Sequence, residues 1–243
     1  MEFFTNLKED FILNFVKDNR WKWLFDGLGN TLLITAFSLL LGLVIGIVIA
    51  LIRSTFDKNR EVYRKKGGFF YAFWCIINAI SNLYLTVIRG TPVVVQLLSA
   101  YFVIFASSRN SIAVAIFAFG LNSGAYVAEI IRGGIMSIDN GQFEAGRSLG
   151  FNYVQTMVYI IIPQVFKSVL PTLCNEFIVL IKETSIAGYV GIVDLTKAGE
   201  RIRGVTFSAF MPLIAVALIY LAVVIVLTQL VKILERTLRK NER

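Results

Sequence analysis

Long apolar runs separated by short polar stretches set the architecture of this chain. Asn30 to Ile52, NTLLITAFSLLLGLVIGIVIALI, is the clearest run, and Met211 to Val231 matches it near the other end. A helix needs ~20 mostly apolar residues to cross the ~30 Å hydrocarbon core of a bilayer, and both runs meet that length. Ser111 to Ile131 is a third run, with a polar patch at Asn122, Ser123 and Glu129. Met157 to Ile181 is a fourth, interrupted by Pro163 and Pro171. The stretch Phe69 to Phe105 is too long for one helix, and Gly90 followed by Pro92 breaks it.

That break leaves two topologies. Either Phe69 to Ile88 lies along the membrane surface and one span follows from about Thr91, giving five spans, or both halves cross, giving six. Cytoplasmic loops of membrane proteins carry excess Lys and Arg. Five spans with the N-terminus outside put Arg53, Lys58, Arg60, Arg64, Arg132 and Arg147 inside, together with the basic C-terminal tail. Six spans send that tail outside and reverse the bias. The pattern therefore predicts an all-α membrane protein with five transmembrane helices, N-terminus outside and C-terminus cytoplasmic.

Before the first span, Phe3, Phe4, Leu7, Phe11, Ile12 and Phe15 recur at helical spacing while Lys8, Glu9, Asp10, Asn14 and Asp18 fill the other face. This predicts an amphipathic helix in the outer interface, with Trp21 and Trp23 as headgroup-level anchors. The acidic residues Glu2, Glu9 and Asp10 do not suit a cleavable leader, so the first span reads as an uncleaved insertion signal. Gly42 and Gly46 form a GxxxG pair that permits close helix approach.

Composition agrees with a membrane protein. Hydrophobic residues make up 56% of the chain and charged residues 16%, against roughly 25% charged in soluble domains. The net charge of +8 reads as orientation rather than nucleic-acid binding, since no base-reading module is visible. There is no histidine, and Cys75 and Cys174 lie far apart in apolar stretches, which excludes a Cys/His metal site. No GxxxxGK[ST] phosphate loop and no nucleophile and base pair occur. The chain itself is expected to catalyse nothing and to bind no cofactor.

Between the third and fourth runs stands NGQFEAGRSLGFN, Asn140 to Asn152. From Glu144 the pattern runs Glu, Ala, Gly146, three residues, Gly150, nine residues, Ile160, one residue, Ile162, Pro163. It resembles the EAA loop of binding-protein-dependent ABC importer permeases, departing from it at Gly146 and Ile162. RGTPVVVQL from Arg89, LNSGAYVAEIIRGGIMSIDNGQ from Leu121 and NEFIVLIKETS from Asn175 are similar to the polar amino-acid branch of that family. The resemblance implies a type I importer permease fold: a transmembrane permease domain over residues 30–236, an amphipathic segment at 1–29 and a cytoplasmic tail at 237–243. It also implies a short coupling helix near 140–152 that docks into a groove of a cytoplasmic ATPase, with Glu144, Ala145, Gly146, Arg147 and Gly150 as its working residues. Glu144 then sits near a helix start, where a carboxylate is favoured. Ala145 and Gly146 keep the profile narrow, and Gly150 takes the left-handed conformation that ends the helix.

Ionisable residues within spans are rare and tend to be functional. A free amino acid carries an ammonium and a carboxylate, so its site needs acceptors and donors. Glu176 and Asn175 supply acceptors; Lys182, Thr184 and Ser185 supply donors; Gln96, Asn122 and Tyr126 complete the wall, with Glu183 two turns along the same face as Glu176. Helix packing is the competing role for the uncharged members of this set. Glu176 and Glu183 suit a basic amino acid, while Lys182 permits a glutamine- or glutamate-like one.

The implied function is the membrane-spanning subunit of an importer of polar amino acids in the cytoplasmic (inner) membrane of a prokaryote. The implied partners are two copies of an ATPase that uses ATP and Mg, a second permease subunit, identical or paralogous, and an extracytoplasmic solute-binding protein. The alternative is an ion-coupled secondary amino-acid transporter, which the lack of a detectable inverted repeat disfavours.

Overall fold

The computed structural model describes residues 8–240, and among them the backbone is helical nearly throughout, with no strand. The helices are α1 (Trp21–Lys66), α2 (Gly68–Gly90), α3 (Val93–Ser99), α4 (Ser111–Ser137), α5 (Asn140–Ser148), α6 (Tyr153–Thr156), α7 (Ile162–Glu183), α8 (Leu195–Thr206) and α9 (Phe210–Lys240). Wider π-type turns extend α3 over Ala100–Ile104 and join α6 to α7 over Met157–Ile161, and a 3-10 turn, Thr184–Val190, follows α7.

Among the described residues, five stretches are long and apolar enough to cross a membrane: α1, α2, α4, the run Tyr153–Val190 that contains α7, and α9. The number expected from the sequence therefore holds, but the second member falls elsewhere. Gly68–Gly90, read as lying along the surface, is a continuous helix of 23 residues. The segment after Thr91 that was expected to cross is a short apolar helix, Val93–Ile104. At 1.5 Å per residue it reaches about 18 Å, well short of the ~30 Å core. The Gly90 and Pro92 break is real, and it leaves the longer half on the N-terminal side. Pro163 and Pro171 do not divide the fourth run as expected. Pro163 stands where the π-type turn Met157–Ile161 passes into α7, and α7 continues through Pro171.

Many large apolar side chains point outward, among them Phe37, Leu40 and Val44 on α1, Ile76, Ile80 and Leu83 on α2, and Leu218, Leu221 and Ile225 on α9. Uncovered apolar faces of this extent are what a lipid-facing surface requires.

The chain divides into two compact units. The first comprises residues up to Ser38 with Val93–Phe119 and Phe177–Leu230. Its core joins Phe15 and Leu24 to Leu195, Ala198, Ile202 and Val216. Asp194 caps α8, accepting from the backbone N–H groups of Thr196 (3.0 Å) and Lys197 (3.2 Å). Burial pushes its carboxyl pKa upward, and those same bonds oppose the shift. Of the predicted N-terminal amphipathic pattern, Phe3, Phe4 and Leu7 lie outside the described residues. Phe11 and Ile12 are exposed, whereas Phe15 is buried. Asn14, placed by the pattern on the polar face, is also buried, because Thr206 Oγ1 donates to its Oδ1 at 2.7 Å.

The second unit comprises Leu39–Pro92, Gly120–Glu176 and the chain from Val231. One of its cores gathers Ile135, Met157, Ile161, Val165 and Val169; another gathers Leu85, Ala125 and Ala128. Here the Gly42 and Gly46 pair finds its purpose within the chain. A Cβ on Gly42 would meet the Gly124 backbone nitrogen at 3.1 Å, and one on Gly46 would run into the Val127 side chain. The two glycines thus let α1 and α4 pack backbone to backbone. Gly46→Leu is expected to lower stability by about 1–3 kcal/mol through overpacking, read as a lower thermal midpoint of the purified protein in detergent.

Candidate functional site

The polar stretch between α4 and α7 folds as a short helix fixed at both ends. Asp139 caps α5, its Oδ1 accepting from the Gly141 N–H at 2.6 Å. At the other end the Phe151 N–H reaches the Gly146 carbonyl at 3.0 Å and the Gly150 N–H reaches the Arg147 carbonyl at 2.9 Å. Gly150 has φ +80°, so the two bonds make the Schellman arrangement that ends a helix on a left-handed residue. Immediately afterwards Asn152 and Gln155 exchange side-chain to backbone hydrogen bonds, both at 2.9 Å, as a capping box that starts α6. These local bonds satisfy backbone groups at both ends of α5 and at the start of α6.

Two expectations about this helix are corrected. Glu144 is not near the helix start: α5 begins at Asn140, because Asp139 rather than a later residue supplies the cap, and Glu144 lies in its middle. Gly146 does not serve a narrow outer profile. It is buried, and a Cβ there would lie 2.6 Å from Thr156 Oγ1, so its small size lets α5 sit against the start of the next helical segment. Glu144, Ala145 and Arg147 are exposed. Arg147 lies in the last turn, where the helix dipole favours a cation.

The candidate ligand residues divide between the two units. In the second unit, Ser123 Oγ donates to Glu176 Oε1 at 3.0 Å. Ser123 is fully buried, and Glu176 and Asn122 are 9% and 2% exposed. Tyr126 is half-buried, with the Arg89 guanidinium 5.8 Å above its ring. Asn175, next to Glu176, faces outward. In the first unit, Gln96 is half-buried on α3, Lys182 is exposed and Glu183 half-buried at the end of α7. Ser185 lines a cavity of about 500 Å³ together with Gly188, Asp194 and Thr196.

A second constellation in the second unit is ionic. Glu129 receives Arg53 at 3.4 Å, Arg132 at 3.5 Å and Arg89 at 3.8 Å, and Arg132 also meets Asp57 at 3.4 Å. Sequence reasoning marked Glu129 as part of a polar patch in the third run but did not pair it with Arg53 and Arg89, which are remote in the chain. It missed Ser123 as a site residue, although Ser123 adjoins Asn122. It also missed the capping box, which the Asn-x-x-Gln spacing announces.

Residues 68–240 match the family described as the binding-protein-dependent transport system inner membrane component. That match covers well over half of the chain. The chain is a member of this permease family. The permease is 36% identical over 224 residues to the arginine transport system permease protein ArtQ of Bacillus subtilis (strain 168), covering 90% of this chain and 94% of the relative. It is 37% identical over 220 residues to the glutamine transport system permease protein GlnP of Escherichia coli (strain K12), covering 89% and 93%. Among solved structures, an amino acid ABC transporter crystallised with histidines superposes with a TM-score of 0.78 at 36% identity, over 92% of this chain and 98% of that one. The inward-facing MetNI methionine ABC transporter shares the fold, with a TM-score of 0.68 at 20% identity, over 90% of this chain and 96% of that one. The permease is thus a multi-pass inner-membrane subunit of ABC-importer type and is not itself an enzyme.

The Schellman end of α5 makes a local prediction. Gly150→Ala forces a Cβ into left-handed backbone at a cost of roughly 1–2 kcal/mol. The expected result is faster proteolysis at the α5 to α6 connection of the purified permease.

Proposed function

We propose that this permease forms the pathway of an ATP-driven importer for polar amino acids, with α5 as the coupling helix that docks on a partner ATPase. The observation that carries the reading is the α5 unit itself: a nine-residue helix, locked at both ends, showing Glu144, Ala145 and Arg147 outward. The distribution of Lys and Arg supports an orientation with the N-terminus outside and α5 in the cytoplasm. Two ATPase copies using ATP and Mg below, a second permease subunit alongside and a solute-binding protein above complete the assembly. The relatives and neighbouring structures are ABC importers, and they lend nothing to an ion-coupled reading.

For the ligand, Glu176 is the central candidate. A buried carboxylate already accepting from Ser123 suits a cationic group, either the ammonium common to all amino acids or the side chain of a basic one. Asn122 and Tyr126 belong to the same unit and the same proposed site. Asn175, Gln96, Lys182, Glu183 and Ser185 are candidates to be tested singly. The names of the relatives, arginine and glutamine systems, support a basic or glutamine-like substrate.

The deciding experiment is Glu144→Ala in the reconstituted complex. The expected outcome is normal assembly with ligand-stimulated ATP hydrolysis and uptake reduced about five- to a hundredfold, the range of ordinary site-to-site coupling. Unchanged stimulation in an assembled complex refutes the role given to α5.

A further inference from the structure

Helix α1 is far longer than a membrane needs. Its 46 residues reach about 69 Å, more than twice the ~30 Å core. The surplus, RSTFDKNREVYRKK from Arg53, is polar and charged, and it runs beside α5 within the second unit. Lys58 Nζ donates to Asn140 Oδ1 at 2.7 Å and stands 4.5 Å from the centre of the Phe143 ring. One ammonium therefore holds two residues of α5 that lie three apart and so on the same face of the helix. Farther back, Arg53 and Asp57 bind Glu129 and Arg132 at the end of α4. The extension and α5 also flank a cleft of about 390 Å³, with Lys58, Asn59 and Val62 on one wall and Phe143, Glu144 and Arg147 on the other.

We propose that the polar extension of α1 is a transmission stalk, with Lys58 as the positioning residue that clamps it to α5. This rests on the reading of α5 as the coupling helix and adds a route that chain order does not supply. Residues flanking α5 in sequence connect it to α4 and α7. Lys58 connects α5 itself to the helix that carries the first apolar run, and Tyr153 of α6 stands beside Thr55 and Asn59 of that same extension. The chemistry fits a clamp that survives motion: a hydrogen bond from a charged donor combined with attraction to a ring face holds an ammonium against α5 while its flexible stem allows small rotations.

The test uses the complete reconstituted complex of permease, ATPase and binding protein. Lys58→Met keeps the aliphatic stem and removes the charge, Phe143→Leu keeps apolar bulk and removes the ring, and Lys58→Arg keeps both interactions. The readouts are amino acid transported per ATP hydrolysed and retention of the ATPase on the purified permease. Lys58→Met and Phe143→Leu are each expected to lower the transport ratio about three- to tenfold with the ATPase retained. The double variant should be no worse than the poorer single one, because both remove one shared contact, and Lys58→Arg should stay near wild type. An unchanged ratio in Lys58→Met overturns the clamp, and so does an equal loss in Lys58→Arg, which would assign the effect to stem packing. Loss of the ATPase from Lys58→Met also overturns it, because Lys58 would then be a docking residue. Glu144→Ala run alongside separates the two readings: loss of coupling there with none in Lys58→Met defeats the stalk alone, whereas full coupling in Glu144→Ala defeats the assignment of α5.

Discussion

Peptide N–H and C=O groups in the hydrocarbon core have no water to bond, so a chain that crosses it closes those bonds along its own helices. The almost unbroken helicity of residues 8–240 follows from that condition, and so does the placement of everything polar. Buried hydroxyls on α1 bond back along the helix, Thr31 to the Gly27 carbonyl and Thr35 to the Thr31 carbonyl. Where the backbone must stop being helical, it does so on capped ends. Asp139, Gly150 and Asn152 supply three such ends within fourteen residues of chain, which is why a polar stretch between two apolar runs is a rigid body and not a mobile loop.

The apolar runs were readable because length and hydropathy are properties of single segments, and the polar stretch was readable because its glycine and proline spacing is long and specific. The second membrane-length helix was misplaced for a physical reason. Positive-inside counting weighs charges in loops, and residues 68–90 hold only one charge, Arg89, at their end, so counting says little about the helix itself. Glu144 was misplaced because the cap is supplied by Asp139, five residues before it, whereas the EAA-like pattern was counted from Glu144 itself. Ser123 with Glu176, and Glu129 with Arg53 and Arg89, were beyond reach. Each of these pairs joins helices separated by dozens of residues, and one sequence does not say which faces meet; only Glu129 with Arg132, three residues apart on α4, has a spacing that the sequence shows.

The role of Gly146 shows how a motif position can be right in identity and wrong in purpose. A small residue was expected there to suit a partner groove. In the structure its missing side chain makes room for Thr156, so the constraint is internal. The outward surface is left to Glu144, Ala145 and Arg147, a carboxylate and a guanidinium on either side of a methyl group. Internal packing on one face and charge on the other suits the proposed role of a helix that stays put in its own subunit while pressing on another.

The ion pairs on Glu129 bear on how such pressure travels. Half-exposed pairs of this kind contribute little to stability, about 0–1 kcal/mol each, so their value lies in geometry. Arg53 ends the apolar part of α1, Arg89 ends α2, and Glu129 and Arg132 stand near the end of α4. Their mutual contact therefore fixes three helices of the second unit in axial register at the level where apolar residues give way to polar ones. Lys58 lies five residues beyond Arg53, about 7.5 Å along the same helix. In the proposed stalk, a displacement of α5 received at Lys58 would be delivered, through about a turn and a half of α1, to the point where α1, α2 and α4 meet in ion pairs. On the proposed reading, breaking the register at Glu129 would let the stalk slide past its neighbours, so the ionic cluster and the clamp would act in series and loss of either would weaken transmission.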